Sequence, residues 1–441
     1  MFKLNNPWPL SCLALAVCPL FAVADSAEGF IEGSHLNLVN RVNFLNTQVQ
    51  GDGHDRRPNN RRDPKDLSYG LQANFSSGFT QGTLGIGFDA FAYSAFKLDG
   101  GDGHTGYGNI QVNDRAEAKD TYGRAGGSIK LRYGQTQLRF GEMQVTNPVF
   151  ATADPRLFPS TATGIHLSNQ DIAGLLIEGG HFTAGTEPAS TSRSGELWAT
   201  YANVTTRAVD FAGGRYAISD HWNMSLYGAN YEDLWRQAYV GTDYGWAVDG
   251  QSRIDTSFNL YRSLDQGQAK AGDINTTAFS TKVAYTRLNH KLSLSYQQIH
   301  GDTPMDYVGF GNNGSGSFGN SIYLDNPVMV SDFNGPNEKS WQLRYDLDMA
   351  PYGYPGLSFM ARYVYGYDIK SSSNPHYQGW SGFETAEHQE RDLEARYVVQ
   401  SGVAKGLRVR LRQGVHNAKQ GQPDGDITMH IIALELPVQI F

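Results

Sequence analysis

Residues 405–414 read KGLRVRLRQG, in which Leu407, Val409 and Leu411 alternate with Arg408, Arg410 and Arg412. Successive side chains of a β-strand point to opposite faces. This strand therefore has one apolar face and one guanidinium face. A soluble sheet would bury the first and wet the second. A membrane barrel would turn the first to lipid and the second to an aqueous channel.

The pattern repeats in both directions along the chain. In 35–45 (HLNLVNRVNFL), Leu36, Leu38, Val42 and Phe44 oppose His35, Asn37, Arg41 and Asn43. Leu67, Tyr69, Leu71, Ala73 and Phe75 share one face of the next apolar segment. Ile129, Leu131 and Tyr133 oppose Ser128, Lys130 and Arg132; Leu138 and Phe140 oppose Arg139; Tyr216 and Ile218 oppose Arg215. Trp341, Leu343, Tyr345, Leu347 and Met349 oppose Gln342, Arg344, Asp346 and Asp348, while Leu357, Phe359, Ala361, Tyr363 and Tyr365 oppose Arg362. Leu393, Ala395, Tyr397 and Val399 oppose Asp392, Glu394, Arg396 and Val398. The last segment, 427–441, sets Ile432, Leu434, Leu436, Val438 and Ile440 on one face. It ends in Phe441, the terminal aromatic that suits recognition by the bacterial barrel-assembly machinery, although Pro437 and Gln439 disturb the phase counted back from it.

Between these segments, tight turns (FTQGT at 79–83, YGQT at 133–136) alternate with long polar loops at 51–66, 99–120 and 147–172. Strands of about ten residues with short turns at one end and long loops at the other mark an outer-membrane barrel. Tyr69, Tyr122, Trp198, Tyr201, Trp222, Trp341 and Tyr367 fall near expected strand ends. They are read as aromatic girdles at the two membrane interfaces. A β-sandwich is the competing assignment, but it needs a second layer over each apolar face.

Composition agrees with the barrel. The chain has 441 residues, 50 Gly, 24 Tyr and 22 Phe, and a mean hydropathy of −0.44, low because a barrel's inner face is polar. Beyond the N-terminus there is no apolar run of about 20 residues to form a membrane helix. The N-terminus reads as a signal peptide: Lys3, the apolar stretch LSCLALAVCPLFAVA, and an A-x-A site at Ala22–Val23–Ala24. A lipoprotein box at Cys18 fits poorly beside Val17 and Pro19. Cleavage after Ala24 removes one lysine and no acid, taking the formal charge from −8 to −9. It also removes both cysteines, Cys12 and Cys18, so no disulfide framework or zinc-thiolate site is expected. The expected domains are thus a signal peptide, 1–24, and a barrel, 25–441.

Over nearly the whole mature chain the sequence resembles the OprD-type specific porins, the outer-membrane carboxylate channel family. The resemblance rests on long stretches that include YGRAGGSIKLRYGQTQLRFGEM, PRLFPSTATGIHL, LYGANYEDLWRQAYVG, FNLYRSLDQGQAKAGDINTTAFS, SDFNGPNEKSWQLRYDLD and PGLSFMARYVYGYDI. It implies an all-β transmembrane antiparallel barrel of about 18 strands. Such barrels are monomeric, with short periplasmic turns and long extracellular loops, the third of which folds into the pore and is helped by the seventh. Carried over by matching segments, the inward loop is 147–172, with Arg156, Phe158, Pro159 and Ser160. The second constricting loop is about 301–337, with Asp306, Tyr307, Asp332 and Asn334. The basic row comprises Arg41, Lys130, Arg132, Arg139, Arg344, Arg362, Arg396, Arg408, Arg410 and Arg412. After Arg41 the stretch VNFLNTQVQGDGHDRRPNN departs from the family's aromatic-Asn-Arg-Asp pattern.

Arginine keeps its charge, and its planar fork matches a carboxylate bidentately. A line of such forks passes an anion along without full dehydration, provided each site binds weakly enough to release it. The expected function is passive uptake of small carboxylate-bearing solutes such as amino acids or aromatic acids. No ATP, metal or organic cofactor and no nucleic acid enters that reading; the expected surroundings are membrane lipid and lipopolysaccharide. Asp306 and Asp332 would repel a second carboxylate or hold an ammonium. The plain structural alternative for each arginine is an ion pair with Asp346, Asp348, Asp392 or Glu394.

Other motifs carry less. Arg56, Arg57, Arg61 and Arg62 read as a solvated or lipopolysaccharide-bound loop cluster. The two GDGH stretches (51–54, 101–104) read as Gly/Asp turns, and GNNGSGSFGN (311–320) as a loop tip. His166, Asp171 and Ser160 could form a hydrolase triad, but no G-x-S-x-G elbow accompanies them. A barrel hydrolase and a non-conducting adhesive barrel are the rival functional classes.

Overall fold

A computed structural model describes residues 29–50, 63, 65–100, 108–113, 117–192, 194–311, 318–419 and 424–441. The expected signal peptide, the Arg56–Arg62 cluster, both GDGH stretches and residues 312–317 lie outside them.

Among the described residues, eighteen strands form one antiparallel sheet. In chain order they are β1 (His35–Gln50), β2 (Lys65–Ser76), β3 (Gly85–Asp99), β4 (Thr121–Tyr133), β5 (Thr136–Met143), β6 (Thr161–Asn169), β7 (Leu175–Thr186), β10 (Val209–Ser219), β11 (Trp222–Tyr231), β12 (Trp235–Asp249), β13 (Ser252–Asp265), β14 (Asn275–Arg287), β15 (His290–His300), β17 (Lys339–Asp348), β18 (Leu357–Lys370), β19 (Thr385–Val398), β20 (Arg408–Ala418) and β21 (Asp426–Gln439). The barrel closes where β21 pairs with β1, from Asn37↔Gln439 to Gln50↔Asp426. Three short strands, β8 (Glu196–Ala199), β9 (Thr205–Thr206) and β16 (Val308–Gly311), form a separate small sheet.

The alternation read from the sequence is the inside–outside alternation of the wall. Leu393, Leu411, Phe359 and Ile432 are 57%, 46%, 43% and 41% exposed, while Asp392, Glu394 and Arg41 on the other face are buried. Exposed Ile86, Ile129, Phe140, Leu226, Leu294 and Leu343 continue the outer band around the ring. So large an exposed apolar surface marks lipid as its solvent.

At one end of the barrel, two-residue hairpins join strands at 134–135, 220–221, 250–251 and 288–289. The other end carries the long connections. The third of these occupies 144–160, shorter than the expected 147–172, because Thr161–Asn169 is a strand. Only Ile165 and Leu167 mark that strand's outer face, and Gly164 and His166 hide its period. The seventh connection, 301–338, contains β16, which pairs with β8 of the fourth connection from Val308↔Ala199 to Gly311↔Glu196.

These loops fold into the barrel and fill much of its inside. Val149 and Phe150 of the third loop, Leu197 of the fourth and Phe310 of the seventh are fully buried against wall residues Phe182, Tyr231, Trp235 and Tyr261. Leu157 and Phe158 form a second plug against Tyr93 and Tyr122. Gly70 makes room for it: a Cβ there would lie 2.8 Å from Leu157 Cγ. Each of these fully buried large side chains is worth about 1.5–3 kcal/mol.

Three expected girdle aromatics belong to this interior. Tyr122 faces inward and donates to the Asn109 carbonyl at 2.5 Å. Trp198 is buried in the small sheet, and the Tyr201 hydroxyl donates to Asp332 at 2.6 Å. Trp222 and Trp341 are exposed on the outer face.

Phe158 packs 5.1 Å from Tyr93 and 5.6 Å from Tyr122, centroid to centroid. Phe158→Ala is expected to destabilise the barrel by about 3 kcal/mol in urea titrations of detergent-folded protein. The lipid-facing Phe140→Ala should cost less than half as much. Equal losses would mean that the plug is not packed.

Candidate pore lining and constriction

The basic side chains singled out in the sequence fall into two groups. The larger lies on adjacent strands of one wall. Arg408, Arg410 and Arg412 point inward from β20, two residues and so about 6.7 Å apart. Arg396 of β19 is the cross-strand partner of Arg410, and Arg344 of β17 that of Arg362 on β18. Arg41 stands on β1 across from Glu435.

Acids on the same strands hold this group. Glu394 receives Arg410 Nε at 2.9 Å, Arg412 Nε at 3.0 Å and Arg396 Nε. One carboxylate thus serves three guanidiniums, leaving two positive charges in excess. Arg362 pairs with Asp392 at 2.6 Å, Arg408 with Glu435 at 2.9 Å, and Arg344 with Asp346 at 2.7 Å. Of the acids named beforehand as alternative partners, Asp348 takes another role and accepts the Ala350 N–H.

The smaller group is set apart on β4 and β5, toward the short-turn end. Lys130 donates to Asp89 and to Ser76, each at 2.7 Å. The Arg132 guanidinium lies 4.4 Å from the Phe79 ring centre. Arg139 approaches His166 Nδ1 at 3.3 Å.

The two loops divide between anchoring and lining. Phe158 is the buried plug, and the Ser160 hydroxyl donates to the Phe318 carbonyl at 2.7 Å. Arg156 offers its carbonyl to Arg41 at 2.8 Å, and its guanidinium lies 5.9 Å from the Phe318 ring. Asp306 is buried and accepts the N–H groups of Tyr201, Ala202 and Tyr307 at 3.1, 3.0 and 2.8 Å, joining the fourth loop to the seventh. Asn334 donates to the Met305 carbonyl at 2.7 Å. Tyr307 and Asp332 face the opening. With Arg362, Arg412, Asn320 and Ile322 they bound a cavity of about 260 Å³.

Several residues that fix this geometry were not foreseen. Glu390 of β19 accepts three consecutive backbone N–H groups of the seventh loop, from Met329, Val330 and Ser331, at 3.1, 2.8 and 3.0 Å. The loop seats there because residue 414 is glycine: a Cβ would lie 3.1 Å from Met329 Sδ and 2.9 Å from Asp392 Oδ1. Asp325 ties the same loop to Lys282 and Ser280 of β14, each at 2.6 Å. Arg215 of β10 is exposed to the lumen nine strands round the ring from β20. Alternation in the sequence already assigns Glu390 and Arg215 to the inner face; their loop partners have no such signal.

The residues considered as a hydrolase triad do not meet. His166 pairs with Glu178 at 2.8 Å. Ser160 binds the Phe318 carbonyl, and Asp171 accepts the Gln135 N–H at 3.1 Å in a short turn.

Burial pushes the Asp332 carboxyl up to about 6, with the Tyr201 hydroxyl acting against that shift. Burial likewise pushes Asp306 up to about 6 against its three N–H donors. Above about pH 6 Asp332 is ionised and places a negative charge in the cavity that Arg362 and Arg412 also line. As pH falls through 6 that charge is lost, so anion preference should rise. Reversal potentials in a salt gradient are expected to show this step in the native chain and to lack it in Asp332→Asn. The same step in the variant would assign it to another group.

A closed 18-strand barrel with an apolar outside, infolded loops and a charged lumen is a membrane channel of the porin class. Comparison with known proteins agrees. The family model for "outer membrane porin, OprD family" matches residues 28–440. Porin D of Pseudomonas aeruginosa is 47% identical, with 98% of each chain covered. The crystal structure of Pseudomonas aeruginosa OprD has a TM-score of 0.81 at 44% identity, covering 94% of this chain and 98% of that one. A crystal structure of Pseudomonas aeruginosa OpdK with vanillate has a TM-score of 0.80 at 27% identity, covering 93% and 100%. The chain belongs to the OprD family of outer membrane porins. It is a substrate-selective channel for small solutes in the bacterial outer membrane.

Proposed function

We propose that the arginine wall selects solutes carrying a carboxylate and passes them inward by diffusion, as a monomer and without catalytic turnover. The observation that carries this reading is the three guanidiniums on Glu394. Arg410 Nη2 is buried and has no hydrogen-bond partner among the described residues, so this guanidinium is not fully spent on the wall. One Arg–carboxylate contact at 4 Å in an effective dielectric of 20 is worth about 4 kcal/mol before desolvation. Rungs about 6.7 Å apart let a solute engage the next fork as it leaves the last. The fork–carboxylate fit favours this solute class over a neutral one. OpdK, crystallised with vanillate, an aromatic carboxylate, is in keeping with it.

Asp332 and Tyr307, which line the same cavity as Arg362 and Arg412, suit the ammonium of an amino acid. In this reading residues 1–24 are the export signal, and Phe441 is the final residue presented to the barrel-assembly machinery. Membrane lipid and lipopolysaccharide contact the outer face. Lys130, Arg132 and Arg139 continue the basic lining toward the periplasmic mouth.

Arg410→Gln with Arg412→Gln tests the mechanism. If the pair lowers the barrier for carboxylates by ~1.4 kcal/mol, its loss reduces their flux about tenfold. Liposome swelling is expected to show that loss for benzoate and for an amino acid, with little change for a neutral sugar. A uniform change across all solutes, or none, would remove the arginine wall from the selection step.

A further inference from the structure

Arg41 differs from the other guanidiniums of its wall in how its donors are used. Arginine has five N–H donors. Here Nε donates to Glu435 Oε2 at 3.1 Å, and Nη1 donates to Asp154 Oδ1 at 2.6 Å and to the Arg156 carbonyl at 2.8 Å. Nη2 donates to Asp154 Oδ2 at 2.8 Å and to Glu435 Oε2 at 2.6 Å. All five are engaged in one arrangement, whereas Arg410 Nη2 has no hydrogen-bond partner among the described residues. A passing carboxylate would have to break the bidentate Asp154 pair before it could bind Arg41.

The partners explain what the arrangement is for. Asp154 and Arg156 belong to the tip of the third loop, and Glu435 to the barrel wall. The flanks of that loop are held independently. Tyr261 donates to the Pro148 carbonyl at 3.0 Å on one side, and Gln72 Nε2 to the Leu157 carbonyl at 3.0 Å on the other. The Phe150 and Phe158 plugs lie on the same two sides. The segment Ala153–Arg156 between them is bound to β1 and β21 through Arg41. Glu435, shared with Arg408, couples this anchor to the first rung of the wall.

We propose that Arg41 is a positioning residue that clamps the tip of the third loop to the wall and thereby sets the pore's width, and that it is not a rung contacted by solute. This deepens the channel function proposed above and rests on it.

Two readouts in planar bilayers separate the roles: the size of polyethylene glycol that enters the pore, and the reversal potential in a salt gradient. Arg41→Gln and Asp154→Asn are each expected to admit larger polymers and to raise single-channel conductance and open-channel noise. The double variant should add nothing beyond either single, as for two partners of one contact. Arg408→Gln should lower anion preference with the polymer cut-off unchanged. Arg41→Gln that lowers anion preference while leaving the cut-off unchanged would make Arg41 a rung and overturn the proposal. So would an unchanged cut-off in Asp154→Asn, a variant that leaves the strand pairing intact. Heat-modifiable gel migration reports barrel closure in each variant. Polymer exclusion needs no carboxylate, so a wild-type channel without carboxylate preference would defeat the function proposed above and leave the clamp testable.

Discussion

Closure of the strand ring is the constraint on which everything else rests. In hydrocarbon no water is present to satisfy an unpaired N–H or C=O, so a spanning sheet must have no edge. The pairing of β1 with β21 removes the last edges. Once the backbone is satisfied, period-two geometry leaves each strand one set of side chains for lipid and one for the lumen. The sequence meets that demand with Leu, Ile and Phe outside and with charged or hydroxyl-bearing side chains inside. Loops that would otherwise leave a wide opening are drawn in by a mainly apolar interior around Phe150, Phe310 and Trp235.

The charge pattern follows from the same geometry. The chain is net acidic, at −8, yet its positive charge is gathered on β1 and β17–β20. The field along the channel depends on this local arrangement more than on the sum. A dense row of guanidiniums repels itself, and acids placed between the rungs lower that cost. Glu394 is sited so that it steadies three arginines without neutralising them. Glu435 is shared between Arg41 and Arg408, and Asp392 balances Arg362 one to one. Arg41, with a full complement of acceptors, is the structural extreme of the series, and Arg410, with one donor unpaired, the least satisfied.

How much of this was legible depends on whether a feature is local. The wall was legible: Leu411 and Arg412 declare their faces by position alone, and the arginines of β18–β20 fall on one wall as their parity requires. Parity would also have corrected Tyr122, which has the phase of Lys130 and so faces inward; nearness to a strand end suggested a girdle instead. Trp198 and Tyr201 sit in the fourth connection, in and just after a four-residue strand too short to show a period, and their burial depends on a seventh loop about a hundred residues away. Strand β6 was hidden by Gly164 and His166. Asp306 illustrates the limit most clearly. Its charge suggested a solute contact, whereas the structure turns it onto three backbone N–H groups. No pattern along one strand encodes that choice, because it is made between loops.

The placement of oil and water on the two faces of one strand can be measured directly. Both cysteines of the chain lie within the first 18 residues, so single cysteines can be introduced into an otherwise thiol-free barrel. In proteoliposomes, Arg410→Cys should react with a charged, water-soluble thiol reagent and change the channel current, while the adjacent Leu411→Cys should be protected from it by lipid. Reaction at 411 with protection at 410, or equal reaction at both, would contradict the assignment of the arginines to the lumen.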